Sequence, residues 1–128
     1  MNATDRAILL VEDDRFLRRA CAESLRRRGF RVVEAPNGAE GLRLARDAKP
    51  ALVLLDMLMP MMNGLDLLKA LRVDHSAQEL PVLVLSNSSR EQDLAEARRL
   101  GIVGYFVKSD LSLRALGDLV AELLERPT

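Results

Sequence analysis

Three apolar runs in this 128-residue chain each stop at charged side chains. The charged residues are Glu12, Asp13 and Asp14 after residues 8–11, Asp56 after residues 51–55, and Lys108 after residues 105–107. If these runs are neighbouring parallel strands, their charged ends converge at one edge of a sheet. Acidic groups crowded there repel one another unless a cation or a shared ligand offsets their charge. We therefore expect the functional site at this edge.

The residue types in this cluster favour an aspartyl nucleophile. A carboxylate accepts a phosphoryl group as an acyl phosphate when a divalent cation and positive side chains offset the charge of the incoming oxygens. In this hypothesis Asp56 is the acceptor, and Glu12 and Asp13 hold Mg²⁺ through oxygen and water ligands. Lys108 pairs with the phosphoryl oxygens, and the hydroxyl of Ser86, after a fourth apolar run, donates to the same oxygens.

The elements that must position these residues follow from the hydrophobic pattern. Short apolar runs alternate with longer amphipathic stretches, which predicts five βα units. The predicted strands lie at residues 8–11, 31–35, 51–55, 82–85 and 102–107. The first, third and fourth are nearly unbroken Ile, Leu and Val, which is typical of strands covered by helices on both faces. Strict alternation with short connections predicts a doubly wound α/β domain with a parallel sheet.

Helical spacing of apolar residues marks the segments between the strands. The predicted inward positions are Leu17, Ala20, Cys21, Ser24 and Leu25 in the first helix, Leu42 and Ala45 in the second, Leu65, Leu68 and Leu71 in the third, and Leu113, Leu116, Val120 and Leu123 in the last. The fourth helix, at residues 90–100, is the least apolar. We expect Cys21 to be inert core, the arginines of the first helix to be solvated, and Asp14 to be solvated or to cap that helix.

Length and composition predict a single domain over residues 1–128. The formal net charge is zero, which argues against a nucleic-acid-binding chain held mainly by phosphate contacts. The single cysteine excludes an intramolecular disulfide, and no amino-terminal segment resembles a signal peptide or a membrane span. A cytoplasmic location is therefore expected.

Several other chemistries lack their residues. No Walker-type loop and no G-x-G-x-x-G sequence follows the first strand, where acidic residues would repel a nucleotide's phosphates. Ser86 and Ser88 lack the glycines of a nucleophile elbow, and the only histidine, His75, lies in a predicted loop. A haloacid-dehalogenase-like phosphatase needs a second acid two residues after its nucleophile, where this chain has Leu58.

Four segments together resemble the receiver domain of bacterial two-component response regulators over nearly the whole chain. They are ILLVEDD at 8–14, LLDMLMP at 54–60 with NG at 63–64, PVLVLS at 81–86 and GYFVK at 104–108. The resemblance implies a flavodoxin-like fold with strand order 2-1-3-4-5. It also implies that Asp56 takes its phosphoryl group from the phosphohistidine of a sensor histidine kinase or a phosphotransfer protein.

The resemblance assigns further roles. The implied metal ligands are Glu12, Asp13, Asp56 and the main-chain carbonyl of Leu58. Ser86 and Tyr105 are the implied switch pair, in which the hydroxyl moves toward the phosphoryl group and the ring turns inward. The implied output face is the fourth helix, fifth strand and fifth helix, which would bind a downstream protein or a second copy, with no direct nucleic acid binding and no membrane insertion. The chain would catalyse only its own phosphorylation and dephosphorylation, as a standalone receiver or as a piece of a longer regulator.

Some residues depart from the family pattern. Ser109 follows Lys108 where most receivers have proline, and because a cis bond before a non-proline residue costs about 2.5–4 kcal/mol, a trans peptide is predicted. Asn87 stands where a small residue is usual, and Leu58 and Ser88 occupy positions that tune dephosphorylation. An apolar Leu58 cannot orient the attacking water, so a long-lived acyl phosphate is predicted. These departures leave a second hypothesis open, a receiver-like interaction module that works without phosphorylation.

Overall fold

A computed structural model of the chain describes residues 7–57, 63–74, 77–86, 91–108 and 112–125. Its elements are β1 (Ala7–Val11), α1 (Arg15–Arg27), β2 (Arg31–Ala35), α2 (Gly38–Asp47), β3 (Leu52–Asp56), α3 (Gly64–Val73), β4 (Val82–Ser86), α4 (Glu91–Leu100), β5 (Gly104–Val107) and α5 (Leu113–Glu125). The five strands form one parallel sheet in the order β2-β1-β3-β4-β5. The predicted doubly wound fold and its strand order are therefore confirmed. Within the described ranges, no helix has the length and hydropathy that a membrane span requires.

The strand ends differ slightly from the predicted ones, and the difference concerns the site. β3 and β4 extend through Asp56 and Ser86, which were predicted to follow their strands. Asp56 stays in the ladder because it pairs in register with Leu85 of β4. Both side chains are thus held by strand geometry. β5 begins at Gly104, two residues later than predicted.

The core lies in two layers, one on each face of the sheet. Alternate residues of each strand point to opposite faces, so that Ile8 packs in one layer and Leu9 in the other. The helix residues that fill the layer under α1 and α5 are Cys21, Ala22, Leu25, Leu116, Val120 and Leu124. Those that fill the opposite layer are Ala45, Leu67, Leu68, Leu71 and Ala97. Burial on both faces explains the nearly unbroken apolar runs.

Short polar side chains start four of the helices. Asp14, Asn37, Asn63 and Ser112 each accept a hydrogen bond from the main-chain N–H three residues further on, at 2.9–3.0 Å. Each satisfies an N–H group that the first helical turn leaves without a partner. The cap by Asp14, one of its two predicted roles, is thus observed, and it starts α1 directly after the acidic pair that follows β1.

Candidate functional site

The charged residues predicted at the strand ends lie together at the carboxyl edge of the sheet. Lys108 Nζ lies 3.2 Å from Asp56 Oδ1 and also forms an ion pair with Glu12 Oε1. The side chains of Glu12 and Asp56 are 4% and 5% exposed, and that of Lys108 is 16% exposed. Lys108 and Glu12 are 96 residues apart in the chain, so only the fold brings them together.

Burial and neighbouring charges set the protonation of this cluster. Burial raises the pKa of Glu12 to about 7; the hydrogen bond from Lys108 lowers this pKa, and Asp56 raises it. Burial lowers the pKa of Lys108, but the hydrogen bond to Glu12 and the negative charge of Asp56 outweigh it and leave this pKa raised. Lys108 is therefore a cation at neutral pH. It faces more than one carboxylate, which leaves the cluster short of positive charge.

Three carboxylates of the cluster can share one cation. Glu12, Asp13 and Asp56 each offer one oxygen, and these oxygens all lie within 4.8 Å of one another. Carboxylate oxygens are the ligands that Mg²⁺ prefers in proteins. The residues present therefore fit the predicted Mg²⁺ site. The fourth predicted ligand, the carbonyl of Leu58, lies outside the described residues.

Ser86 lies on β4, the strand beside β3, and Tyr105 lies on β5, the edge strand that pairs with β4. Ser86 is fully buried at the end of β4, opposite Val107 of β5. Tyr105 is half-buried in β5 and packs against the core layer under α2, α3 and α4. The neighbouring strands thus hold the two residues of the predicted switch pair. The switch itself stays a prediction.

Gly64 shapes the backbone beside the acceptor. Its N–H donates to the main-chain oxygen of Met57 at 3.0 Å. A Cβ at this position would lie 2.4 Å from the main-chain oxygen of Asp56 and 2.7 Å from Cα of Met57. Any side chain here would push against the end of β3. The glycine that follows Asn63 therefore has a steric role at the site, in addition to starting α3.

Arg18 shows where the prediction of a solvated arginine face was wrong. Its side chain is only 14% exposed, and its Nη1 donates to the main-chain oxygen of Glu12 at 2.9 Å. Its Nε donates to Glu34 Oε1 at 3.3 Å. The sequence did not predict the roles of Arg18 and Glu34. The helical pattern of α1 does not show which loop or strand lies next to Arg18.

An apolar cleft lies between α1, α5 and the sheet and reaches Asp56 and Lys108. Cys21 lines it and is buried, as predicted. Burial raises the pKa of the Cys21 thiol to about 11, and the charge of Glu12 acts in the same direction. The thiol is therefore protonated at neutral pH, which agrees with the predicted inert role.

Several residues singled out in the sequence lie outside the described ranges. They are Leu58, His75, Asn87, Ser88 and Ser109. The trans peptide between Lys108 and Ser109, the effect of Asn87 on the pocket and the long-lived acyl phosphate therefore stay predictions.

Comparisons with known proteins agree with this geometry. The sequence model of the response regulator receiver domain matches residues 8–119. The chain is 32% identical over 120 residues to the chemotaxis protein CheY of Pseudomonas aeruginosa, a match that covers 93% of this chain and 96% of that protein. It is 33% identical over 102 residues to the transcriptional regulatory protein AfsQ1 of Streptomyces coelicolor, a match that covers 80% of this chain but only 44% of AfsQ1. The solved structure of the chemotaxis protein CheY4 of Vibrio cholerae is similar with a TM-score of 0.83 and 26% identity, over 91% of this chain and 97% of that one.

Proposed function

The chain belongs to the response regulator receiver domains of two-component signalling, and we propose that Asp56 accepts a phosphoryl group from the phosphohistidine of a sensor histidine kinase or a phosphotransfer protein. One observation carries this proposal. The buried Asp56 carboxylate lies 3.2 Å from the Lys108 ammonium and within 4.8 Å of two further carboxylates, in a group that could hold a divalent cation.

The proposed transfer uses groups that the site already holds. An Asp56 carboxylate oxygen attacks phosphorus, the P–N bond to the donor histidine breaks, and the imidazole leaves with the electron pair and takes up a proton. Lys108 pairs with the phosphoryl oxygens, and the hydroxyl of Ser86 donates to one of them. Bound Mg²⁺, held by Glu12, Asp13 and Asp56, would offset the negative charge of those oxygens. The product is an acyl phosphate on Asp56.

The proposed output is a change in the face formed by α4, β5 and α5. A modification shifts a conformational equilibrium only through interactions that differ between the two states. Lys108 supplies such a difference, because it binds Glu12 and Asp56 before transfer and would gain phosphoryl oxygens after it. It directly follows β5, the strand that carries Tyr105. We propose that this strand transmits the change to a downstream protein or to a second copy of the chain.

The test is intact-protein mass spectrometry after incubation with acetyl phosphate, with and without Mg²⁺. We expect a Mg²⁺-dependent gain of one phosphoryl group in the wild type and no gain in Asp56→Asn. Asp66→Asn, which removes an exposed carboxylate on α3, is the matched control and should gain the group like the wild type. A gain that persists in Asp56→Asn would place the acceptor elsewhere.

The same experiment separates the proposal from the phosphorylation-independent interaction module. No gain under any condition, with circular dichroism showing a folded protein, would contradict the aspartyl phosphoacceptor and favour that module. Loss of the phosphoryl group over time, followed in the same spectra, tests the predicted long-lived acyl phosphate.

Two further expectations belong to this proposal. The chain would act on no other substrate, so that its only catalysis would be its own phosphorylation and dephosphorylation. We propose a cytoplasmic location, where a sensor kinase presents its phosphohistidine.

A further inference from the structure

We propose that Arg18 and Glu34 are positioning residues that hold the Glu12–Asp13 peptide and thereby set the affinity of the acidic cluster for a divalent cation. This inference rests on the proposed function, since it concerns the Mg²⁺ site of the same phosphoacceptor. It starts from a line of contacts that runs from the edge strand β2 through α1 to the loop after β1.

Glu34 of β2 is the fixed end of this line. Both of its carboxylate oxygens accept from arginines of α1, Oε1 from Arg18 Nε at 3.3 Å and Oε2 from Arg26 Nη1 at 3.2 Å. Arg26 is held in turn by its Nη2, which donates to the main-chain oxygen of Val32 at 2.8 Å. The side chains of Arg18 and Glu34 are only 14% and 19% exposed. Their contact is therefore screened less by water than an ion pair on the surface.

The other end of the line is the main chain of the acidic pair. Arg18 Nη1 donates to the Glu12 carbonyl oxygen at 2.9 Å, and this carbonyl belongs to the peptide that joins Glu12 to Asp13. The N–H of Glu12 donates to Ala35 of β2 at 3.0 Å, and the chain leaves the sheet after it. The N–H of Glu12 is thus bonded to β2, and the next peptide group, between Glu12 and Asp13, is bonded to Arg18.

Asp13 is the cation ligand that most needs this hold. The Glu12 side chain is buried and bound by Lys108, and Asp56 is buried at the end of β3. Asp13 is exposed, and across the described part of the chain its carboxylate has no hydrogen-bond or ion-pair partner. The peptide that Arg18 holds therefore fixes the main chain from which the Asp13 side chain reaches the cluster.

The effect of Arg18 is geometric more than electrostatic. Glu34 offsets the charge of Arg18. The planar guanidinium of Arg18 contacts Glu34 and the Glu12 carbonyl at the same time, through two different nitrogens. Lysine at this position would keep the charge but has no rigid fork to hold both acceptors. Groups that orient metal ligands typically change metal affinity 10–100-fold when they are removed.

The experiment is a calorimetric Mg²⁺ titration of the wild type, Arg18→Lys, Glu34→Gln and the double variant. We expect Mg²⁺ to bind about 10-fold more weakly to each single variant. The double variant should bind no more weakly than the weaker single variant, because both changes break one line of contacts. Arg19→Lys is the matched control, since Arg19 is exposed on the same helix with no ion pair among the described residues, and its Kd should stay within about twofold of the wild type.

Thermal unfolding of each variant without Mg²⁺ separates positioning from general loss of structure. A weaker Kd in variants that remain folded throughout the titration supports the inference. Unchanged Kd values for both single variants would overturn the inference. The proposed function would be unaffected in that case, because the wild type would still bind Mg²⁺. Losses that add in the double variant would also overturn it, since they would show separate roles. A wild type that binds no Mg²⁺ would contradict the proposed function and this inference together.

Discussion

Lys108 is the residue on which the geometry of the site depends most. Its ammonium group contacts the buried carboxylates of both Glu12 and Asp56. Removing one partner of a buried ion pair leaves the other charge in a poorly solvated place. Glu12 can relieve part of this cost by binding a proton, because its pKa is already raised to about 7 and the hydrogen bond from Lys108 is the larger of two contacts that lower it.

We therefore predict that Lys108→Met lowers the free energy of unfolding by about 2 kcal/mol at neutral pH without Mg²⁺. Mg²⁺ should restore much of this loss, since a bound cation offsets the same carboxylates. Urea denaturation with and without Mg²⁺ measures both effects. Lys69→Met, at an exposed position of α3, is the control and should change the stability little. Equal losses in the two variants, or no rescue by Mg²⁺, would show that Lys108 does not offset the acidic cluster.

At the scale of elements, Arg72 links α3 to the end of α4 and to the connection between α3 and β4. Its side chain donates to five main-chain oxygens. The acceptors are Leu100 at 2.8 Å, Gly101 at 2.6 Å, Ala77 at 3.5 Å, Gln78 at 3.3 Å and Leu80 at 2.9 Å. These oxygens belong to the end of α4 and to the connection between α3 and β4. The last carbonyls of a helix have no partner within the helix, so Arg72 satisfies groups that would otherwise need water.

We predict that Arg72→Met lowers the free energy of unfolding by about 3 kcal/mol, because it removes several hydrogen bonds from a charged donor to partly buried carbonyls. Hydrogen exchange should rise most at the end of α4 and at the start of β4. Arg98→Met is the control, since Arg98 is exposed on α4 and has no ion pair in the described part of the structure. An exchange increase spread evenly over the molecule would contradict the local role of Arg72.

At the scale of the whole molecule, the site and the proposed output face meet at β5. This edge strand has four residues, all half-buried, whereas the five residues of each of β1, β3 and β4 are fully buried. Segments with less burial open and shift at lower free-energy cost than the core. β5, which is less buried than β1, β3 and β4, thus links Lys108 to the rest of the proposed output face.

Tyr105 offers a direct test of this link, because it is the only tyrosine in a chain without tryptophan. We predict that phosphorylation with acetyl phosphate and Mg²⁺ changes the intrinsic tyrosine fluorescence, since the ring of Tyr105 would move from a half-exposed to a more buried position. Asp56→Asn under the same conditions should show no change. An unchanged signal in protein shown by mass spectrometry to be phosphorylated would argue against the Ser86 and Tyr105 switch.

The fold class and the location of the site could be predicted from the sequence. Both depend on local features, namely apolar runs of strand length, helical spacing between them, and charges where the runs stop. Since parallel strands end at a common edge, the sequence sufficed to bring Glu12, Asp56 and Lys108 to one place. The strand order came from the likeness to a known family, because the pattern of the strands does not state their neighbours.

The groups that hold the site in position could be identified only from the folded structure. Asp56 belongs to its strand because β4 pairs alongside it. Arg18 and Arg72 donate to main-chain oxygens of other segments. Every residue presents the same main-chain carbonyl group, whatever its side chain. Such contacts have no sequence signature, since the acceptor is chosen by where the folded chain places it. A hydrophobic pattern is a property of a short stretch of sequence, whereas a hydrogen bond between distant segments depends on where the folded chain places them.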